Sequence, residues 1–172
     1  MYEEEIRIPK DRVAVIIGTK GSVKRNLQKR LNVKIQVNSE TGLISLAAED
    51  SLNLYSAKLV LKAIGRGFNP DVAVQLEDED KTLDILNIDD YSNDNKSKQL
   101  RIKSRLIGTK GKSRRIIEKL TNTNIEVYGK TVSIIGDVND AVIARQALER
   151  LMHGAKHSNV YAFIEKKKSS KL

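Results

Sequence analysis

The sequence predicts an α+β protein that contains two tandem copies of one module. The first indication is an internal repeat, because Gly-Thr-Lys-Gly occurs at residues 18–21 and again at 108–111. The flanking residues match at the same offset of 90, which places Lys29 on Lys119. The second indication is that strand-like and helix-like patterns follow in the same order in both copies. Repetition at a fixed offset indicates a duplicated structural unit.

The length of 172 residues and the position of the repeats predict a domain boundary near residue 80. The first domain is expected over 1–80, with a short extra helix that Asn69 caps and that ends at Leu76. The second domain is expected over 81–172 and ends in a basic tail. This tail contains Lys166 to Lys168 and Lys171, and it is expected to fray.

The first copy is predicted to begin with a strand over 4–8, which a proline ends because proline cannot donate to a sheet. Asp11 is the expected N-cap of a helix over 12–17, and Ser22 is the expected N-cap of the next helix. Alternating apolar residues predict a strand over 33–37, followed by a turn and its hairpin partner. The remaining elements are that turn at 38–42, the partner strand at 43–47 and a buried helix at 51–64.

The second copy repeats this order. Its opening strand is expected to contain Leu83, Ile85 and Ile88, and Asp137 is the expected N-cap of its last helix. The elements between them are helices at 100–107 and 112–120, strands at 125–128 and 131–135, a turn at 129–130, and the last helix at 138–152. Each copy is therefore predicted as strand, helix, Gly-x-x-Gly, helix, strand, strand, helix.

Composition restricts the chemistry that is expected of the chain. It contains no Cys, which excludes disulfides, thiolate metal sites and a cysteine nucleophile. No apolar stretch is long enough to span a membrane and no signal-peptide pattern opens the chain, so a soluble cytoplasmic protein is expected. No nucleophile with a base, metal cluster or carboxylate pair stands out, so we expect neither enzyme activity nor a cofactor.

Basic charge gathers around each Gly-Thr-Lys-Gly. The net charge is +9; residues 18–34 hold six basic and no acidic residues, and residues 98–119 hold nine basic residues and one acidic residue. The stretch 71–94 between them holds nine acidic residues and one basic residue. Such segregation is typical of proteins that bind a polyanion.

The residues of the repeated loop suit the binding of a sugar-phosphate backbone. Two glycines allow a sharp bend and a close approach of the backbone amides to a ligand. The helix that follows directs unsatisfied N–H groups and its positive dipole end toward the same place. Lys20 and Lys110 add a mobile charge at the tip of each loop. Two roles remain possible for each basic residue in the first turn of the following helices: contact with a phosphate, or a place on a solvated helix face. These residues are Lys24, Arg25, Arg114 and Arg115.

The order of elements around the Gly-x-x-Gly loop resembles the type I KH module. Only 17 residues precede Gly18, too few for the extra elements that open a type II module. The resemblance implies two tandem KH domains of order βααββα, each a three-stranded antiparallel sheet backed by helices. It also implies a loop that clamps about four backbone nucleotides while the bases meet an apolar groove. Candidates for this groove, or for the core beneath it, are Ile16, Ile17, Val37, Leu106, Ile107 and Val127.

RNA contacts are accordingly expected from the two loops and from the first turn of the helix after each. The residues expected to make them are Gly18, Thr19, Lys20, Gly21, Lys24, Arg25, Gly108, Thr109, Lys110, Gly111, Lys112, Arg114 and Arg115. Two alternatives stay open beside this interpretation. One is a protein-binding KH scaffold, and the other is a general KH-type RNA-binding factor in translation or RNA turnover.

The second copy is similar, over 108–125, to the two-KH-domain ribosome-assembly proteins of the partner of Nob family. Gly65-Arg66-Gly67-Phe68 and the closing Gly154 with Ser158-Asn159-Val160-Tyr161 match that family as well, and the short length is typical of its archaeal branch. The family implies binding of single-stranded sequence near the 3′ end of small-subunit rRNA and cooperation with the Nob-type endonuclease that trims this end. It further implies contacts with the rRNA adenine dimethylase or the initiation factor 2 alpha subunit.

Three further features allow more than one interpretation. The acidic run 77–80 suits a divalent cation, a basic partner or a solvated linker, and the linker is favoured. His153 and His157 are four residues apart, as metal ligands on one helix face are, but a glycine intervenes and no third ligand is evident. Structural roles are therefore favoured for both. Tyr161 and Phe163 suit stacking on bases, although docking of the tail onto the second domain is favoured.

Overall fold

The computed structural model describes residues 1–170, and the chain divides into two units. The first is Met1–Glu79 and the second begins at Asp80. Each unit contains a three-stranded antiparallel sheet in which the last strand along the chain lies in the middle. Together with the pair of helices around each Gly-x-x-Gly loop, this topology confirms the α+β fold of two type I KH domains.

In the first unit, β3 pairs with both other strands, and Ile35 of β2 lies opposite Leu46 of β3. Its elements are β1 (Tyr2–Arg7), α1 (Lys10–Ile17), α2 (Ser22–Leu31), β2 (Lys34–Asn38), β3 (Leu43–Ala48), α3 (Ser51–Gly65), α4 (Pro70–Ala73) and a 3₁₀ segment, Val74–Glu77. The apolar faces of α1, α2 and α3 form the core with one face of the sheet. Fully buried members of this core include Ile16, Ile44, Leu61, Ile64 and Phe68.

In the second unit, Ile125 lies opposite Ile134 in the equivalent register. Its elements are β4 (Lys81–Asn87), α5 (Asp89–Ser92), α6 (Lys96–Ile107), α7 (Lys112–Thr121), β5 (Asn124–Tyr128), β6 (Thr131–Asp137), α8 (Val138–Met152) and α9 (His157–Ser169). The buried residues of this unit form one cluster around α8 and β6, to which α9 contributes two apolar side chains. No helix within residues 1–170 is long and apolar enough to cross a lipid bilayer.

Two predicted N-caps are wrong. Asp11 lies inside the first turn of α1, and Pro9 occupies the N-cap position because its carbonyl already accepts from the Arg12 amide at 2.9 Å. Ser22 is the first helical residue of α2, and Gly21 in the left-handed conformation occupies the N-cap position. In both places the residue before the predicted cap, or two before it, occupies the N-cap position, and neither helix has a side-chain cap.

Two other predicted caps are confirmed in position. Asn69 Oδ1 accepts from the amide of Asp71 at 2.9 Å, with a proline at the first helical position. Asp137 occupies the N-cap position of α8 without a side-chain cap bond, and its carboxylate lies 3.2 Å from Lys81 Nζ. The Asp137 carboxylate therefore ties β4 to the end of β6.

The second unit departs from the prediction between its first strand and its first long helix. β4 ends at Asn87, so Ile88 is not a strand residue; it is fully buried at the start of α5. α6 begins at Lys96, one turn before the predicted Leu100, because Asn95 Oδ1 caps it by accepting from an amide at 3.1 Å. The first turn of α6 is polar and basic, so apolar periodicity did not indicate it.

The basic tail is helical through Ser169, contrary to the prediction that it frays. Tyr161 and Phe163 of α9 pack half-buried against the core of the second unit, which confirms the favoured docking. Lys168 Nζ is hydrogen-bonded to the Asp140 carboxylate, which fixes the end of the helix to α8. Lys171 lies outside the described residues.

The helix before each loop is tied to the end of the long helix by an arginine. Arg12 donates from Nε to the Ile64 carbonyl at 2.8 Å and from Nη2 to the Phe68 carbonyl at 2.9 Å. Arg105 makes the same pair of bonds at the end of α8. These bonds satisfy helix-end carbonyls and hold α1 or α6, and with it the loop, in place.

The acidic run and the histidines have structural contacts. Glu77 belongs to the 3₁₀ segment and accepts three hydrogen bonds from Nε and Nη2 of Arg30, which with the charge of Glu77 raise the pKa of Arg30. His157 Nε2 lies 2.9 Å from the Arg105 carbonyl, and the ring centroid of His153 lies 5.0 Å from that of a tyrosine. Within the described residues, no group of His, Cys, Asp and Glu is placed to hold a metal ion.

Candidate nucleic-acid interface

Both Gly-x-x-Gly loops have the same backbone conformation. In the first, Gly18 has φ/ψ of 72°/178° and Gly21 of 76°/14°. In the second, Gly108 has 74°/176° and Gly111 has 75°/13°. A short 3₁₀ turn leads from the first glycine of each pair into the next helix. The duplicated sequence therefore forms duplicated geometry, with the amides at the start of α2 and α7 next to the loop.

The first glycine of each loop is required by packing within the protein. A Cβ at Gly18 would lie 2.3 Å from Cγ2 and 2.8 Å from the backbone nitrogen of Val23. A Cβ at Gly108 would lie 2.7 Å from both Cβ and the backbone nitrogen of Ser113. The space that the missing side chain leaves is thus occupied by the start of the next helix. From the sequence, we expected glycine here so that a ligand could approach the backbone. The contact with the next helix is sufficient by itself to require glycine at this position.

An arginine braces each loop from the helix that follows. Arg25 Nη1 donates to the Lys20 carbonyl at 2.6 Å, and it lies 3.0 Å from where a Cβ at Gly21 would be. Arg115 Nη1 donates to the Lys110 carbonyl, also at 2.6 Å. The two arginines therefore contact the loop itself. Each guanidinium keeps further N–H groups that face no carbonyl of the loop.

The lysine of each loop is held in a strained backbone conformation. Lys20 and Lys110 both have φ 53° and ψ 31°, a left-handed conformation that costs a non-glycine residue about 1–2 kcal/mol. Both side chains are exposed, as are those of Thr19 and Thr109 before them. Among the described residues, neither ammonium has a hydrogen bond or ion pair. Strain of this kind collects at functional sites.

The position three residues after each loop differs between the units. Lys24 is half-buried on α2. Arg114 donates from Nη1 to the Ile125 carbonyl at 3.0 Å and lies 3.4 Å from a carboxylate oxygen of Glu126. A third contact, with Glu118 one turn along α7, is 3.9 Å. Arg114 therefore ties α7 to β5, and it makes more contacts within the protein than the other predicted RNA contacts. Lys112 is exposed at the start of α7.

A polar side chain on the helix after each loop anchors the neighbouring strand. Gln28 Oε1 accepts from the Ile35 amide at 2.9 Å. Glu118 Oε2 accepts from the Ile125 amide at 2.8 Å. These residues were not singled out from the sequence, although they stand at the same offset of 90 as the loops. They hold the strand that carries the groove candidates against the helix that carries the loop.

The apolar groove candidates fall into two groups. Ile16 and Leu106 are buried and belong to the cores of their units. The other four are partly exposed, two on the helices before the loops and two on the strands anchored to the helices after them, namely Ile17, Ile107, Val37 and Val127. The second group can offer apolar surface to bases.

Charge is distributed unequally between the units. The first, residues 1–79, has 12 Lys and Arg against 11 Asp and Glu. The second, from residue 80 onward, has 19 against 11. Net charges of +1 and +8 follow, so the second unit carries most of the attraction for a polyanion.

Known protein families match both units of the chain. A family model described as a eukaryotic type KH domain of type I, PNO1 second domain, matches residues 82–169. A KH domain model matches residues 3–63. The KH domain-containing protein MJ0443 of Methanocaldococcus jannaschii is 41% identical, with 96% of this chain and 74% of that protein covered.

Two further proteins connect the chain with named relatives. The pre-rRNA-processing protein PNO1 of Debaryomyces hansenii is 24% identical, with 94% of this chain and 65% of that protein covered. The crystal structure of an a/eIF2alpha–aDim2p–rRNA complex from Pyrococcus horikoshii contains a chain 40% identical to this one. The TM-score is 0.92, with 98% of this chain and 95% of that chain covered. The chain therefore belongs to the two-KH-domain partner of Nob family, whose members carry the names PNO1 and Dim2p.

Proposed function

We propose that the chain binds single-stranded RNA near the 3′ end of small-subunit rRNA and acts in small-subunit ribosome assembly and rRNA 3′-end maturation. The observation that carries this proposal is that the second loop has the same backbone conformation as the first. A single Gly-x-x-Gly turn between helices is common, but two with equal dihedral angles, a free lysine and a bracing arginine indicate a repeated clamp. Two clamps suit one longer single strand.

The geometry of each loop explains how it would hold a phosphate backbone. The N-cap positions of α2 and α7 are glycines without a side-chain cap, so the first amides of both helices remain available to an anion. The unpaired ammonium of Lys20 or Lys110 adds charge from the loop tip. Because the arginine brace holds the loop carbonyl in place, the backbone needs little reorganisation on binding.

The names of the relatives support an rRNA ligand. The aligned chain from Pyrococcus horikoshii is described in a complex with rRNA, and the aligned protein from Debaryomyces hansenii is named for pre-rRNA processing. Relatives in this family are RNA-binding KH proteins, and we assign cleavage of the rRNA to a partner endonuclease of the Nob type. Contact with the initiation factor 2 alpha subunit is supported by the composition of that complex. Contact with the rRNA adenine dimethylase rests on the family resemblance. Action in the cytoplasm is proposed from the sequence pattern alone.

Charge reversal at both loop tips tests the proposal. Asp tolerates the left-handed conformation that both lysines adopt, so Lys20→Asp with Lys110→Asp alters charge without altering the loop backbone. We expect the double variant to lose affinity for an rRNA 3′-end oligonucleotide by about a hundredfold, as removal and reversal of phosphate contacts predict. Fluorescence anisotropy at fixed salt measures this change.

The matched control is Lys29→Asp with Lys119→Asp. These lysines are exposed, stand at equivalent positions of α2 and α7, and change the net charge by the same amount. Equal losses in the two double variants would show that only overall charge matters. Unchanged affinity in a folded loop variant would instead favour the protein-binding scaffold.

A further inference from the structure

A second cationic feature of the second unit lies beside its loop. An open cleft of about 490 Å³ is bordered by α6, the first half of the loop, the start of α7 and the start of α9. The side chains that matter for its chemistry are Arg101, Arg105, Lys112, Ser113, His157 and Tyr161. No carboxylate of residues 1–170 lines it.

The charge of this cleft is uncompensated at its rim. Arg101 and Lys112 are exposed and make no hydrogen bond or ion pair with the described residues. Arg105 uses Nε and Nη2 on helix-end carbonyls, which leaves both protons of Nη1. His157 is fixed by its contact with the Arg105 carbonyl at 2.9 Å. Three permanent cations with free donors therefore surround one open space.

Ser113 supplies an independent sign of a ligand. It is 3% exposed, it lines the cleft, and its hydroxyl has no hydrogen-bond partner among the described residues. A buried hydroxyl without a partner costs about 1–3 kcal/mol, so such groups are normally satisfied. Ser113 is also the second residue of α7, a ten-residue helix whose first amides lack a side-chain cap. An anion in the cleft would accept from the hydroxyl and from those amides.

The equivalent place in the first unit has different residues at the start of its helix. Ser22 and Val23 stand where the second unit has Lys112 and Ser113, so both a charge and the hydroxyl are missing. The cleft there is lined by Asp71, and its one arginine is bound by a carboxylate of the 3₁₀ segment. Loop geometry is shared by the units, but the residues beside the loop differ between them.

The geometry points to a phosphate-binding site in the α9 cleft of the second unit. The ligand is a phosphate group held by Ser113, the first amides of α7, and the cations Arg101, Arg105 and Lys112. Two sources can supply it: a phosphodiester of an RNA strand that continues past the loop, or free inorganic phosphate. The RNA source rests on the proposed function, whereas binding of inorganic phosphate does not.

The first arm of the test titrates the full chain with sodium phosphate and, at matched ionic strength, with sodium chloride. We expect saturable amide shifts at Ser113 and His157 in ¹H–¹⁵N spectra with phosphate only. The variant Lys112→Ser with Ser113→Val reproduces the residues of the first unit and should weaken phosphate about tenfold or more. Lys119→Ser removes an equal charge from the same helix and should leave the phosphate affinity unchanged.

The second arm compares RNA of four and of ten nucleotides. If the cleft takes a phosphodiester, the double variant weakens the ten-nucleotide RNA more than the four-nucleotide RNA, whereas Lys119→Ser affects both lengths equally. If phosphate saturates the cleft but RNA of both lengths is unaffected, the site takes free phosphate. The proposal is overturned if phosphate and chloride shift the same amides equally and the double variant binds long RNA as Lys119→Ser does. Failure of wild type to bind either RNA would refute the proposed function, and the phosphate titration would still decide the site.

Discussion

The two units place one clamp in two different electrostatic settings. Their loops agree within 2° in every glycine dihedral quoted above, yet the first unit is nearly neutral and the second carries +8. The backbone conformation depends on local packing, which the duplicated residues preserve. The attraction for RNA depends on the surrounding surface, which has diverged. Geometry and affinity are therefore encoded by different residues and can be altered separately.

The helices around the clamp show where the divergence lies. α1 has 8 residues and α6 has 12, and the additional turn of α6 is basic. After the long helix, the first unit continues into α4 and a 3₁₀ segment, whereas the second continues into the 13-residue α9. Compared with the first unit, the second unit thus has additional positive charge in the helix before the loop and a longer helix at the end of its chain segment.

The largest effect is expected from the first glycine of either loop. Gly18→Ala or Gly108→Ala places a Cβ against the next helix in a backbone conformation that is essentially restricted to glycine. We expect each to destabilise its own unit by about 3 kcal/mol, the sum of strain and overpacking. Hydrogen exchange during urea unfolding of the full chain reports the two units separately.

The second glycine provides the contrast within each loop. Gly21→Ala or Gly111→Ala meets only the flexible tip of an arginine at 3.0 Å, so about 1 kcal/mol of left-handed strain is expected. Equal stability losses for the first and second glycine would refute the packing argument. A loss of stability in one unit but not in the other would show that the two loops share a conformation but not the same contribution to stability.

Comparison of particular elements shows what could be predicted from the sequence. The repeat, the apolar alternation and the loop chemistry predicted the two sheets, their order of elements and the loop residues, because these depend on neighbours along the chain. The bracing role of Arg25 and the strand tie of Arg114 could not be predicted, since each depends on where the side chain turns after folding. Arg12 and Arg105 make equivalent bonds from positions 93 residues apart, so an offset of 90 does not pair them.

A smaller effect is expected when each loop lysine is neutralised alone. Asn keeps the left-handed conformation, so Lys20→Asn and Lys110→Asn remove one charge each without moving the loop. If both clamps hold the strand, each variant lowers the slope of log affinity against log salt by about 0.7, the value for one phosphate on a single strand.

The loss of affinity at moderate salt should be larger for Lys110→Asn, because the second unit concentrates the strand near its loop. Measurement of oligonucleotide binding from low to high salt separates the two quantities. An unchanged slope for Lys20→Asn would mean that the first loop has kept the conformation of a clamp without its contact. Unchanged slopes for both variants would remove the basis for a double clamp.

The smallest effect is expected for the bracing arginines, and it decides between two roles for them. Arg25→Gln and Arg115→Gln lose the 2.6 Å bond to the loop carbonyl, so the loop amides should exchange faster while the unit loses less than about 1 kcal/mol, as an exposed contact predicts. If bracing is their main role, the salt slope for RNA stays close to that of the wild type. A slope lowered as far as in Lys110→Asn would make the arginine a phosphate contact instead. Because the brace is the same in both units and the charge around it is not, equal exchange rates with unequal slopes would separate the geometric from the electrostatic part of the clamp.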